Sequence, residues 1–527
     1  MRADLVLIGG TVITLDPQRP SASGIAIASR RIMAVGDEHE LESLCDQSTA
    51  KVDLRGRAVV PGFVDAHVHF GSFALARQQI DLDGADTLED GLNVVREFAM
   101  ELPAGAWVRG RGWDRNRWGR VPSASDLDRA TGNRPAALSS HDGHSLWLNS
   151  AALASTGLTR ATEAPPGGVI ERDADGVPSG VLFENAQDLV RRKIPEPNRD
   201  EVALAVRQAL PIAAAAGLTG IHNLEDERSL AAFRSLEDSG DLTLRVYHGV
   251  RRGLLRKPAD PGLRTGSGSD LVRIGPVKLF SDGALGSRTA YLIEPYEGAE
   301  DGYRGVPTLA AEEIVADMLA ASEAGLDVAV HAIGDAAVRT VLDSVEAARR
   351  EQPAFEHRMV RIEHAQLVHP DDVPRFAQLG VVASMQPIHA IADWRAADAH
   401  WGARARHGYA WRSLLDAGAR LAFGTDAPVE KIAPLASLLA ATTRLDPNGE
   451  PKGGWYPEQR LSLIQAVRAY TTGSAFAERA LDRRGAIQVG HDADLVVLAP
   501  NPFTDHAAPE ETRVEMTLVA GKIVFGA

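Results

Sequence analysis

Residues 61–70 read PGFVDAHVHF, and this stretch decides the fold. An apolar run, AVVPGFV at 58–64, leads straight into Asp65, His67 and His69 at every second position. Side chains alternate faces along a β-strand, so these three polar groups share one side. Two imidazoles inside a strand are costly unless something pairs with them. The rest of the chain must supply that partner.

Working outward, apolar β-rich runs recur at 62–69, 217–223, 242–249, 272–280, 326–331, 359–364, 380–386 and 420–426. Many are separated by helical stretches rich in Ala, Leu, Glu and Arg, such as 310–324. Eight strand–helix repeats predict an α/β fold, a (β/α)8 TIM-type barrel over 62–483. Two more strand-like runs, 106–112 and 135–141, are assigned to an insertion at about 71–200 after the first barrel strand. The two chain ends have a different texture. Short β-like runs at 4–15 and 25–35 are echoed at 492–498 and 514–525. They predict a small composite β-sandwich domain built from residues 1–61 plus 484–527.

Composition narrows the function. The 527 residues carry a formal net charge of −15, which disfavours nucleic acid and anionic membrane surfaces as partners. One cysteine, Cys45, allows neither an intramolecular disulfide nor a cysteine-based zinc finger. No run approaches the length of a membrane span or a signal-peptide core. These features predict a cytoplasmic protein with a small-molecule substrate, and a homodimer is an assembly they leave open. The glycine pairs Gly9–Gly10 and Gly167–Gly168 lack the strand–loop–helix syntax of a phosphate loop, so no nucleotide cofactor is expected.

Several predicted barrel strands finish in a residue able to bind a metal: His67 and His69, Lys278, His331, His364 and Asp426. The C-terminal strand ends of such a barrel converge on one mouth. Nitrogen and oxygen donors meeting there suit zinc foremost, with manganese, iron or nickel as alternatives. Taken singly, His331 or His364 reads as a hydrogen-bonded core histidine. Taken together and in order, the set reads as a metal centre.

That order, with the strings PGFVDAHVH, GPVKLFSDGALGSRTA, VHAIGDAA, RIEHAQ and GTDAPV, resembles the metal-dependent amidohydrolase superfamily, in its amidohydrolase-3 branch of N-substituted formamide deformylase-like proteins. The resemblance implies one or two divalent ions. His67, His69 and Asp426 would hold one ion, and His331 and His364 the other. Lys278 would bridge them as a carboxylated lysine. It also implies hydrolysis of an amide-type C–N bond in an N-acyl, N-formyl or cyclic amide by a metal-activated water, with Asp426 as general base and acid. Deamination, ester or lactone hydrolysis, and a non-catalytic binding role are the alternatives. Deaminases of the superfamily typically place a Glu three residues after the fifth-strand His, where this chain has Gly334.

Substrate contacts are expected from Trp113 and His144 in the insertion, from Asp282 and Arg288 after the fourth strand, and from Gln386 after the seventh, where His389 also lies. Asp65 is expected to orient a ligand imidazole.

Overall fold

The structure is a computed structural model that describes residues 2–102, 105–141, 144–256, 262–299, 302–504 and 509–526. The chain divides into two compact units, 1–73 with 206–527, and 74–205.

In the larger unit eight parallel strands lie side by side in chain order. They are β1 (Phe63–Val68), β2 (Leu218–Asn223), β3 (Arg245–Arg251), β4 (Val272–Phe280), β5 (Val328–Ala332), β6 (Val360–His364), β7 (Val382–Met385) and β8 (Arg420–Phe423). Every residue of β1, β2, β6 and β7 is buried. A strand covered on both faces reads as a continuous apolar run, which is why the sequence displayed these strands so clearly. Helices supply the outer cover. Helix Glu227–Asp238 follows β2, is capped by the Asp226 side chain accepting from the Arg228 and Ser229 amides, and buries Leu230, Phe233 and Leu236 at helical spacing. Helices Ala311–Ala324, Asp335–Glu351 and Pro387–Trp401 follow β4, β5 and β7.

The seam between β1 and β8 is joined at the mouth. The Asp426 amide donates to His67 O at 2.7 Å, and the His69 amide donates to Ala427 O at 2.8 Å. Asp65 clamps the same seam, accepting from the Thr425 amide at 3.0 Å, the Thr425 hydroxyl at 2.5 Å and the His67 amide at 3.1 Å. This corrects the expectation for Asp65, whose carboxyl binds backbone and hydroxyl rather than an imidazole. Gly424 fits where nothing larger would, because a Cβ there would lie 2.5 Å from the His67 amide nitrogen.

Both chain ends build the sandwich. One sheet holds Leu5–Ile8, Gly24–Ala28, Arg31–Gly36 and Ala50–Asp53; the other holds Thr11–Ile13, Ser21–Ala22, Ala58–Pro61, Leu495–Ala499, Arg513–Val519 and Lys522–Phe525. Leu7, Ile25 and Ile27 from the first sheet share one core with Val59, Leu495, Val497 and Leu518 from the second. Strand Ala58–Pro61 passes through Gly62 into β1, so the sandwich leads directly into the barrel. Arg245 at the start of β3 is buried and pairs with Asp494 at 2.6 Å, a contact that satisfies both charges away from water.

The second unit has its own six-stranded sheet, which includes Val108–Trp113 and Ala136–Ser140. Its core packs Leu92, Val95, Leu127, Trp113 and Trp147.

Gly424→Ala forces a methyl group against the β1 backbone at the seam. The expected outcome is a loss of about 1–3 kcal/mol in chemical denaturation, the cost typical of overpacking. Wild-type stability in that variant would show that the seam can open without cost.

Candidate metal centre

The strand ends bring His67, His69, Lys278, His331, His364 and Asp426 around one cavity of about 390 Å³. Asp426 Oδ1 lies 3.3 Å from His69 Nε2 and 3.5 Å from His67 Nε2. The His67 and His364 rings are 4.8 Å apart between centroids, and those of His331 and His364 are 4.6 Å apart. Lys278 is buried, with its Nζ 4.9 Å from the centre of the Phe280 ring.

Each of the four imidazoles is held from behind through one ring nitrogen. His67 Nδ1 donates to Glu363 Oε2 at 2.6 Å, and His69 Nδ1 to Leu224 O at 3.0 Å. His364 Nδ1 donates to Gln386 Oε1 at 2.9 Å, and His331 Nε2 to Gly283 O at 2.9 Å. The other nitrogen of each ring is left as a lone-pair donor, the arrangement of metal-ligating histidines. Protonation is suppressed as well. Burial, reinforced by the Lys278 charge, lowers His67 to about 4 and His331 to about 3. Burial and the neighbouring imidazoles carry His364 well below its ordinary value. Neutral imidazoles tied at the back and facing a carboxylate fit a divalent cation.

Backbone conformation helps to place them. Arg361, Glu363 and the barrel interior share one side of β6, so strict alternation would turn His364 the other way. Left-handed backbone at His364 (φ 74°) and Ala365 (φ 41°) breaks that alternation at the mouth. Asp426 is left-handed too, at φ 60°.

Several important residues escaped sequence reasoning. Glu363, which holds His67, is fully buried and pairs with buried Arg361 at 2.5 Å. Two charges on the same side of a buried strand were the available signal. Burial alone would raise the Glu363 carboxyl, but Arg361 and His67 hold it well below the ordinary range. His389, which the sequence did single out beside Gln386, donates Nε2 to Asp426 Oδ2 at 3.2 Å. Phe280, Gln366, Asp393 and Glu430 also line the cavity.

The residues expected to meet substrate have partners within the protein. Asp282 is turned to backbone, accepting from the amides of Tyr291, Ile333 and Gly334 at 2.8–3.0 Å. Arg288 lies over the Tyr296 ring at 5.2 Å. Gln386 reaches the site through His364. None of these three lines the cavity. Within the second unit, Trp113 is a core residue whose indole donates to Leu138 O, and His144 is exposed and pairs with Glu184 at 3.1 Å.

Residues 50–525 match the amidohydrolase family. The chain is 33% identical to the protein LONG AFTER FAR-RED 3 of Arabidopsis thaliana, over 99% of this chain and 92% of that protein. It is 30% identical to an N-substituted formamide deformylase of Arthrobacter pascens, over 99% of this chain and 98% of that one. The crystal structure of an uncharacterized metal-dependent hydrolase from Pyrococcus furiosus matches with a TM-score of 0.80 at 30% identity, covering 95% of this chain and all of that one.

Gln386→Met keeps the side-chain volume and removes the acceptor for His364 Nδ1. Metal affinity measured by chelator competition should fall by about 10–100-fold, as for lost outer partners of ligand histidines. Unchanged affinity with an intact fold would remove Gln386 from the site.

Proposed function

The chain belongs to the amidohydrolase family, and from that premise we propose that it cleaves the C–N amide bond of a small N-acyl, N-formyl or cyclic amide, with Asp426 as proton carrier. Metal-dependent hydrolysis of non-peptide C–N bonds is the family's activity. The observation that carries the reading is the set of four back-tethered imidazoles that share one cavity with the Asp426 carboxylate. The end-to-end similarity to a formamide deformylase supports the amide class.

His67, His69 and Asp426 would hold one ion and His331 and His364 a second, with zinc first among metals suited to nitrogen and oxygen donors. A divalent ion there supplies Lewis acidity toward the carbonyl oxygen and acidifies a water to near-neutral pKa. Burial pulls the Lys278 amine down to about 8 despite Glu363 and Asp426, so part of it is the free base that carbon dioxide carboxylates. A carbamate at Lys278 would replace a cation that opposes metal binding with one negative charge shared by two oxygens. Burial pushes the Asp426 carboxyl up, but His67, His389 and His69 outweigh it and hold the group ionised. It therefore enters the reaction able to take the proton of the attacking water and pass it to the leaving nitrogen. His389 fixes the Oδ2 edge while Oδ1 faces His67 and His69.

Deamination of a nucleobase fits less well. At Gly334, where the superfamily's deaminases carry Glu, a Cβ would lie 2.0 Å from Tyr291 O.

Plasma mass spectrometry should find one or two equivalents of transition metal per chain, reduced in His67→Ala. Metal-free, folded protein that ignores added zinc or manganese would sink the proposal. Asp426→Asn should lower turnover of N-formyl or N-acyl amines by at least about 10²-fold. Near-normal turnover would rule Asp426 out as proton carrier. Lys278→Ala should lose activity and partly regain it with added short-chain carboxylates, and full activity without them would exclude the bridging carbamate.

A further inference from the structure

Four charged side chains line the cavity besides its histidines: Lys278, Asp426, Asp393 and Glu430. The first two belong to the proposed metal centre, and the two that remain are both acidic. Asp393 comes from helix Pro387–Trp401 after β7, and Glu430 from the segment that follows Asp426. Among the described residues neither has a lysine or arginine within 4 Å. Glu430 lies 4.0 Å from His389 Nδ1, and Asp393 accepts from the Tyr409 hydroxyl at 2.9 Å. Lys431, next in sequence to Glu430, is exposed.

A second, independent feature points to a ligand. Gln366 lines the same cavity and is 4% exposed, yet its Oε1 has no hydrogen-bond partner. A buried acceptor left unmade costs about 1–3 kcal/mol, so this oxygen is poised for an N–H that the protein does not supply. Tyr409 links the Gln366 backbone to the Asp393 carboxyl. The Tyr409 amide donates to Gln366 O at 2.5 Å, while its hydroxyl holds Asp393. Phe280, Leu285, Ile333 and Val429 give the cavity an apolar arm.

We infer that the substrate carries a second, cationic nitrogen, an ammonium or amidinium group, that seats against Glu430 and Asp393 and donates an N–H to Gln366 Oε1. Its carbon chain lies on Phe280, Leu285, Ile333 and Val429. The inference rests on the amide-hydrolase reading for the scissile bond and adds a polarity to the substrate. An anionic group at this pole would meet acceptors alone. A neutral alkyl group would desolvate the two carboxylates without supplying a counter-charge, and would leave the amide oxygen without a partner. His389 spans from Asp426 on one nitrogen to Glu430 on the other, so the cation pole is one imidazole from the proton carrier. The spacer between amide and cation is therefore short.

The test uses metal-loaded enzyme and calorimetric titration of butylguanidinium against its neutral isostere butylurea. The guanidinium should bind at least tenfold more tightly, and the preference should collapse in Glu430→Gln and Asp393→Asn. Gln366→Leu should weaken the guanidinium more than the urea. Equal binding of the pair by wild type, or a preference that survives both carboxylate substitutions, overturns the inference. Turnover of N-acyl diamines against N-acyl alkylamines of equal length separates it from the underlying reading. Equal kcat/KM for the two sets sinks the cation site alone. Guanidinium preference with no turnover of either set upholds the site and sinks amide hydrolysis.

Discussion

The buried pair of Arg361 and Glu363 is the constraint on which the mouth of the barrel depends. Arg361 is 1% exposed and Glu363 fully enclosed, and neither charge could persist there alone. The guanidinium donates to Glu363 through two nitrogens, to His222 Nδ1 and Ser384 Oγ at 2.7 Å each, and to Ala66 O. Those partners lie on β1, β2, β6 and β7. One side chain thus sets the mutual register of half the barrel. Glu363 passes the constraint upward through its 2.6 Å bond to His67. The orientation of a cavity-lining imidazole and the register of the strands beneath it are therefore one structural problem.

The mouth is also where the backbone departs from strand geometry. His364, Ala365 and Asp426 all have positive φ, a conformation that costs non-glycine residues free energy and persists where the surroundings over-determine it. Here the surroundings are explicit. The Ala365 amide donates to Ala332 O, the Asp426 amide to His67 O, and Gln386 fixes the His364 ring. Asp65 belongs to the same restraint, and burial raises its carboxyl to about 7 although three donors oppose the shift. A buried acid at the closing seam stabilises through hydrogen bonds to neighbouring backbone, with no need of a charged partner.

Much of this was legible in the sequence, for identifiable reasons. Parallel strands enclosed on both faces must be apolar, so polar residues at their ends stand out, and His67, His69, Lys278, His331, His364 and Asp426 all did. The sandwich was legible because short β-like runs separated by turn residues recur at both ends. Glu363 was not, because inside RIEH it was overshadowed by the histidine beside it, and the break in alternation at His364 is a backbone event. The packing of Trp113 was not legible, because the textures of a core tryptophan and a binding tryptophan are the same. Nor were the partners of Asp282, because a carboxylate beside a strand end can cap three amides as readily as it can meet a ligand. Asp393 and Glu430 carry no local signal at all; a shared cavity makes them neighbours.

The division of labour follows from these differences. The groups that could hold a metal sit at strand ends or within three residues beyond them, held by bonds that also hold the barrel, so they cannot shift without loosening the fold. Most groups that face the rest of the cavity come from the segments beyond: Leu285 after β4, Asp393 after β7, Val429 and Glu430 after β8, with Phe280 the last residue of β4. Phe280 is 50% exposed and Val429 68%, apolar surface left uncovered at the edge of a polar site. Burying such surface favours binding by roughly 25 cal/mol per Å² without regard to direction, whereas a carboxylate or an unmade amide acceptor selects the group that meets it. The apolar arm therefore sets how much substrate binds, and the acidic pole sets which. Changing the second leaves the histidines at the strand ends where the barrel holds them.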